Sequence, residues 1–130
     1  MNYLGMTNAI DENTYIIYVP CYLNGNDGIF NMDYYDLLIG LDCTIFASYY
    51  EPWGYTPMES VAFGVPTITT DLSGFGQWVQ SECNAGFETS GVKVIHRTDS
   101  NYSNVVDQIA TAVFDYLNCD DNQKKKARAQ

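Results

Sequence analysis

Positive charge is scarce in this sequence, and most of it lies near one end. Six lysine and arginine residues face sixteen aspartates and glutamates, so the net charge is −10. Before the run KKKAR at residues 124–128, the only basic residues are Lys93 and Arg97. Nucleic acids and anionic membranes need a basic surface, so the composition argues against both as partners. The basic run itself is typical of the solvated end of a helix, with a binding patch as the alternative.

A metal-binding pattern is also missing. The chain has one histidine, His96, and four widely spaced cysteines without a C-x-x-C pair. We therefore expect no metal site. His96 is expected to be a surface or packing residue, and Cys43, which lies in an apolar run, a buried free thiol.

No apolar run approaches the roughly 20 residues that a membrane-spanning helix needs. The first residues show neither the basic nor the apolar region of a signal peptide. Hydrophobic residues make up 46% of the 130-residue chain, which is enough for one packed domain. The expectation is a soluble, cytoplasmic protein with reduced cysteines.

Short apolar runs alternate with segments of helical spacing. Strands are predicted at residues 14–19 (TYIIYV), 44–47 (TIFA), 66–70 (PTITT) and 92–95 (VKVI). Helices are predicted at 34–41 after an Asp33 cap, 57–63, 75–81 and 103–117, the last with an apolar stripe of Val105, Val106, Ile109, Val113 and Leu117. This order predicts an α/β fold, a Rossmann-like parallel sheet flanked by helices. We expect a loose segment at 1–13, a domain at 14–118 and a polar, basic tail at 119–130.

The segment at residues 49–60 joins a predicted strand to a predicted helix, where open α/β sheets bind ligands. Gly54 lets a ligand approach the backbone, and the helix start at Thr56 offers unpaired N–H groups to a phosphate. Two carboxylates, Glu51 and Glu59, flank this start. A purely structural alternative also fits. The order TPME is a capping box with Thr56 at the N-cap and Glu59 at the third helical position, worth about 1 kcal/mol without any ligand.

Residues 48–59 (SYYEPWGYTPME) closely resemble the signature of animal and fungal glycogen synthases. The likeness continues through GVPTITT into DLSGFG, residues 64–76, and extends more weakly over about 14–118. The resemblance implies part of the C-terminal, nucleotide-sugar-binding domain of a GT-B glycosyltransferase. It implies retaining transfer of glucose from UDP-glucose or ADP-glucose to the non-reducing end of an α-1,4-glucan, with no metal and no cofactor.

The resemblance also implies a role for each matching residue. Glu51 would be catalytic, beside the donor glucose and the positive charge that develops at its anomeric carbon. Glu59 would accept hydrogen bonds from the ribose hydroxyls. The phosphates would lie at Gly54, Tyr55 and Thr56. A further group would form part of the cleft wall: Ser73, Gly74, Phe75 and Gly76.

The family supplies an arginine and a lysine to the diphosphate from earlier in its C-terminal domain, whereas this chain has no basic residue before Lys93. We therefore expect a fragment of a longer enzyme that is inactive alone. Two strands of the family's sheet would be missing, which leaves the strand at 44–47 with an open edge. That edge predicts either pairing with residues 14–19 or a homodimer.

Three alternatives remain. The chain could be a non-catalytic nucleotide- or sugar-binding module that kept the cleft without the chemistry. It could belong to another retaining transferase of the same fold, such as a sucrose or trehalose-phosphate synthase, which the motif fits less well. It could also be an interaction domain in which the motif only caps a helix.

Overall fold

The computed structural model describes residue 5 and residues 7–130. The chain forms two compact units, Met1–Tyr34 and Tyr35–Gln130. The described part of the first unit consists of loops and turns, with one isolated antiparallel bridge between Asn24 and Asp33 and a helix that begins at Tyr34. In one of these turns, Asp27 Oδ1 accepts hydrogen bonds from the backbone N–H groups of Phe30 and Ile29, each at 2.8 Å. These bonds, led by that from Phe30, hold the pKa of Asp27 below its ordinary value.

Residues 14–19 form no strand, so this part of the prediction is wrong. The side-chain amide of Asn8 takes the place of a neighbouring strand at Ile16: Nδ2 donates to the Ile16 carbonyl at 2.7 Å, and the Ile16 N–H donates to Oδ1 at 2.8 Å. Three large side chains of the run are mostly exposed: Tyr15, Ile17 and Tyr18. Such a run favours a strand only where it can pack on a pleated surface. The pairing predicted between residues 14–19 and the strand at 44 is therefore not formed.

The regular elements follow in a strand–helix alternation. The strands are β1 (Thr44–Phe46), β2 (Thr67–Thr70) and β3 (Val92–Ile95). The helices are α1 (Tyr34–Leu38), α2 (Tyr55–Ala62), α3 (Gly74–Glu82), α4 (Phe87–Ser90), α5 (Tyr102–Leu117) and α6 (Asp121–Arg128). Among the described residues, no helix is long and apolar enough to cross a membrane.

The three strands form one parallel sheet in the order β1-β2-β3. Every residue of the central strand β2 is buried, which is typical of a parallel sheet covered on both faces. The α/β class and three of the four predicted strands are thus confirmed. β1 is an edge strand of this sheet, and half of the Ile45 side chain is exposed.

Helices cover both faces of the sheet. On one face α5 packs on it through a cluster of Ile68, Ile95, Val105 and Ala112. On the other face a second cluster joins α3 to the sheet: Phe75, Val79 and Val92, with Met58 and Val61 of α2 against it. Burying such side chains contributes about 1.5–3 kcal/mol each. The two clusters fix the sheet between helices and leave the strand ends free.

The stripe predicted for α5 is partly wrong. Val106 and Leu117 are 47% and 63% exposed, whereas Ala112 and Tyr116 are buried. At about 100° per residue, Val106 and Leu117 point about 100° and 120° away from Val105, while positions seven and eleven residues on lie within about 20° of it. Ala112 lies on the buried face of α5, and counting this alanine as apolar would have given the correct stripe.

The polar tail forms helix α6, so the basic run does end a helix. Asp120 and Gln123 make a capping box at its start. At its end Arg128 Nη2 donates to the Leu41 carbonyl at 2.7 Å, and the buried Ala127 packs inward. The tail thus packs against the rest of the second unit through its last turn.

Candidate functional site

The loop after β1 is held in place by hydrogen bonds from the end of β2 and from the turn that follows it. Because the strands are parallel, the chain segments that follow them, 47–54, 71–73 and 96–101, leave the same edge of the sheet. Thr70 Oγ1 donates to the Ser48 carbonyl at 2.8 Å. The Glu51 N–H donates to Leu72 O at 3.1 Å, and Gly74 N–H donates to Glu51 O at 3.2 Å. Glu51 and Ser73 consequently pair as an isolated parallel bridge.

Helix α2 begins at Tyr55, two residues before the predicted start. Its N-cap is Gly54, with φ 98° and ψ 68° and no side-chain cap hydrogen bond. The predicted capping box is therefore wrong, because Thr56 is already the second helical residue and Glu59 the fifth. Pro57 takes the third position, where a missing N–H leaves no helical bond unmade.

Gly54 is required by both its backbone and its surroundings. A side chain at positive φ is strained, and this glycine is also buried. A Cβ built on it would lie 3.2 Å from Pro57 Cγ, 3.4 Å from Glu51 Cγ and 3.5 Å from Ser73 Cβ. These distances show that Glu51, Gly54 and Ser73 lie together at the start of α2.

The start of α2 is chemically open. Within the described part of the chain, the N–H groups of Tyr55 and Thr56 make no hydrogen bond, and both residues are exposed. An N-terminus of this kind carries about half a positive charge and attracts anions. The geometry can accept a negatively charged oxygen from solvent at these two amides.

Two half-buried carboxylates accompany this start. Neither Glu51 nor Glu59 forms an ion pair or a side-chain hydrogen bond with another described residue. Glu59 lies five positions after Gly54, which is about 7.5 Å along the helix axis. Since no described residue donates a hydrogen bond to either side-chain carboxylate, both can accept hydrogen bonds from hydroxyl groups of a ligand.

The segment predicted as a cleft wall lies mostly beneath the loop. Ser73, only 1% exposed, is the N-cap of α3 and accepts a hydrogen bond from Gly76 N–H at 3.0 Å. A Cβ on Gly74 would lie 2.5 Å from the Pro52 carbonyl, so glycine is needed for close contact. Phe75 is buried, and its N–H donates to Trp53 O at 2.7 Å. These residues support the Glu51 loop, and their part in a cleft wall stays a prediction.

Trp53 belongs to the packing rather than to the open surface. Its Nε1 donates to Met58 Sδ at 3.4 Å, and its ring lies 6.2 Å from that of Phe75 in an edge-on arrangement. The indole is half-buried against the cluster under α2 and α3.

Three polar residues at this edge were not predicted as part of the site. Asp71 Oδ2 contacts His96 Nδ1 at 2.5 Å, and Asp71 Oδ1 accepts from the Arg97 backbone N–H at 2.9 Å. The Arg97 side chain is buried, and its Nη1 donates to the Ala47 carbonyl at 2.7 Å. The predicted strands place all three residues at the edge that carries Glu51, because each lies within two residues of the end of β2 or β3, whereas their contacts depend on the order of the strands in the sheet.

Cysteines and possible metal ligands contribute no further reactive group to this site among the described residues. Cys43 is half-buried against the cluster under α5, and this burial raises the pKa of its thiol to about 11. Among the residues that the structure describes, no three histidine, cysteine, aspartate or glutamate side chains are grouped so that they could hold a metal ion.

Comparison with known proteins identifies the family. A family model described as glycogen synthase matches residues 1–130. The chain is 32% identical over 119 residues to glycogen [starch] synthase isoform 1 of Saccharomyces cerevisiae, which covers 91% of this chain and 17% of the relative. It is 37% identical over 101 residues to glycogen [starch] synthase of Neurospora crassa, covering 78% and 14%.

A third relative, the liver glycogen [starch] synthase of Mus musculus, is 42% identical over 77 residues, 59% of this chain and 11% of the relative. The chain therefore spans about a sixth of the length of the fungal relatives it matches. With a family model that covers the whole sequence, the chain belongs to the glycogen synthase family.

Proposed function

We propose that this chain is part of the nucleotide-sugar-binding domain of a retaining glucosyltransferase. The reaction is transfer of glucose from UDP-glucose or ADP-glucose to the non-reducing end of an α-1,4-glucan, without a cofactor. One observation carries the proposal within the family. The first two amides of α2 have no partner among residue 5 and residues 7–130, and they lie beside the Glu51 carboxylate, which has none there either.

The diphosphate would bind at the start of α2. The free N–H groups of Tyr55 and Thr56 and the helix dipole favour phosphate oxygens there, and the Thr56 hydroxyl is exposed beside them. Gly54 keeps the entrance free of a side chain. The leaving phosphate would thus meet the positive end of the helix.

The two carboxylates would bind the sugars. Glu51 would lie beside the donor glucose, hold its hydroxyls and stabilise positive charge at the anomeric carbon. Glu59, about one and a half turns from the start of α2, would accept hydrogen bonds from the ribose hydroxyls. The absence of protein partners for either carboxylate among the described residues supports both roles.

The 130-residue chain alone is proposed to be inactive. A dipole end of about half a charge does not balance a diphosphate, and the first basic residue in the sequence is Lys93. We also propose a cytoplasmic location, because the four cysteines at positions 21, 43, 83 and 119 are all free thiols, which suits a reducing compartment.

A chimaera tests the function. This chain replaces the matching segment of the Saccharomyces cerevisiae isoform 1, and glucose incorporation into glycogen is measured with UDP-glucose and with ADP-glucose. We expect transfer from at least one donor. Glu51→Gln should lower kcat by about 10²-fold or more, the usual effect of losing one electrostatic stabiliser of a transition state. Glu82→Gln is the matched control, since Glu82 is an exposed residue at the end of α3.

Two results would contradict the proposal in different ways. A folded chimaera that binds both donors and transfers glucose from neither would indicate a non-catalytic binding module. A chimaera whose kcat is insensitive to Glu51→Gln would remove Glu51 from the catalytic role.

A further inference from the structure

Arg97 is a buried cation for which no described residue serves as an ionic partner. Only 6% of the residue is exposed, and none of the ion pairs among the described residues includes it. The Asp71 carboxylate accepts a hydrogen bond from the Arg97 backbone N–H through Oδ1 and contacts His96 through Oδ2. The guanidinium Nε is buried and has no hydrogen-bond partner in the part of the chain that the structure describes. Burying an unpaired charge is unfavourable, and an apolar side chain would fill the same space without this penalty.

The side-chain contacts of Arg97 that the structure shows lie in the chain leading to Glu51. Nη1 donates to the Ala47 carbonyl at 2.7 Å. The guanidinium carbon lies 3.5 Å from the centroid of the Tyr49 ring, a cation–π contact, while 55% of Tyr49 stays exposed. The Arg97 side chain, just after β3, thus contacts both Ala47, the first residue after β1, and Tyr49, two residues before Glu51.

We propose that Arg97 is a positioning residue for Glu51. It acts through Ala47 and Tyr49 and sets the course of residues 47–51. Thr70 binds the Ser48 carbonyl from β2, and the turn at Leu72 and Gly74 binds the Glu51 backbone. Arg97 adds a third set of contacts to residues 47–51, from the end of β3. It supplies the only charged side chain among these contacts. Its consequence for catalysis rests on the function proposed for Glu51.

Nuclear magnetic resonance on the full 130-residue chain tests the positioning without any activity. The chain has two arginines, Arg97 and Arg128, so their Nε–H signals are readily assigned. We expect the Arg97 Nε–H signal to be shifted upfield by the Tyr49 ring and to exchange slowly with water. Tyr49→Leu should abolish the upfield shift, and this half-exposed position keeps the variant folded.

Arg97→Lys and Arg97→Met should both move the backbone amide signals of Tyr50 and Glu51, although neither residue is a sequence neighbour of the substitution. Arg128→Lys is the matched control, because Arg128 also donates to backbone carbonyls, those of Leu41 and Gly64. It should leave the Tyr50 and Glu51 signals unchanged. If these signals also stay in place in both Arg97 variants, or if Arg97 Nε–H exchanges as fast as an exposed arginine, the positioning role is overturned.

Steady-state kinetics of the chimaera test whether the position of Glu51 matters for catalysis. Displacing a reacting group by about 1 Å lowers the rate by about 10²-fold, so Arg97→Lys should lower kcat by about that factor with the donor KM unchanged. If the unsubstituted chimaera transfers no glucose, the proposed function is wrong and the resonance comparison still decides the positioning. If the chimaera is active and kcat survives Arg97→Lys, the inference fails while the proposed function stands.

Discussion

Gly76→Ala should destabilise the second unit from a point directly under the candidate site. A Cβ at this position would lie 2.2 Å from the Thr70 carbonyl oxygen and 3.0 Å from Ser73 Oγ. An ordinary C···O contact is about 3.3 Å, so the backbone must move by about 1 Å. Thr70 ends the central strand and is fully buried, which leaves it little room to move.

The size of the effect follows from three contributions. Forcing an extra carbon into a packed interior costs about 1–3 kcal/mol. Moving Gly76 away also breaks its hydrogen bond to the Ser73 cap, worth about 1 kcal/mol. Alanine returns about 1 kcal/mol through its higher helix propensity. We expect a net loss of about 2 kcal/mol in the free energy of unfolding.

Urea denaturation followed by tryptophan fluorescence measures this loss. Both tryptophans, Trp53 and Trp78, lie in the unit Tyr35–Gln130, so the signal reports on that unit alone. With a slope of about 2 kcal/mol per molar urea, the midpoint should fall by about 1 M. Gln80→Ala, at an exposed position of the same helix, should change stability by less than about 0.5 kcal/mol. A midpoint for Gly76→Ala equal to that of Gln80→Ala would show that the turn after β2 yields freely.

Cys43, with its pKa raised to about 11, should be the last thiol alkylated at pH 8, and the exposed Cys21 should be the first. Raising the pH toward 11 should also lower the free energy of unfolding, because the Cys43 thiol ionises readily only in the unfolded chain. Equal alkylation rates in the folded chain would contradict this. Glu59→Ala should lower UDP affinity in the chimaera with little change in stability, because Glu59 caps nothing; calorimetry showing normal affinity would remove it from the site. If two copies pair through the open edge of β1, Ile45→Lys should convert a dimer to a monomer on a sizing column, and a monomeric unsubstituted chain would refute the homodimer.

The strands show what a sequence pattern can and cannot predict. The runs TIFA, PTITT and VKVI became β1, β2 and β3, and each lies beside another strand. TYIIYV has at least as many β-branched and aromatic residues, yet it forms no strand. Strand propensity measures the fit to a neighbouring surface, and the neighbour is not written in the run itself. Asn8 satisfies the Ile16 backbone instead.

The start of α2 shows how two local rules compete. The order TPME satisfies the capping-box rule, which depends only on residue types at fixed spacing. In the fold, Phe75 N–H binds the Trp53 carbonyl, and Gly54 turns the chain through positive φ. The next residue, Tyr55, is therefore already helical, and Thr56 is no longer available as a cap. This change frees Glu59 from the structural role that the sequence had offered it.

Arg97 shows a limit of another kind. In the sequence it is one of only two basic residues before the tail, and nothing in its neighbours predicts burial. Its contacts are with residues 47 and 49, about fifty positions earlier, and only the sheet order brings them together. Interactions of this range depend on topology, so pattern rules within a window of ten or fifteen residues do not find them.

The same topology explains how a short edge strand can carry a well-defined site. β1 is only three residues long and is paired on one side. The loop that follows it nevertheless receives hydrogen bonds from Thr70, from the turn at 72–75 and from Arg97. These contacts come from β2 and β3 and their connections, away from the open edge. The position of Glu51 therefore depends on the loops at the carboxyl edge of the sheet, and covering or exposing the free edge of β1 should leave that position unchanged.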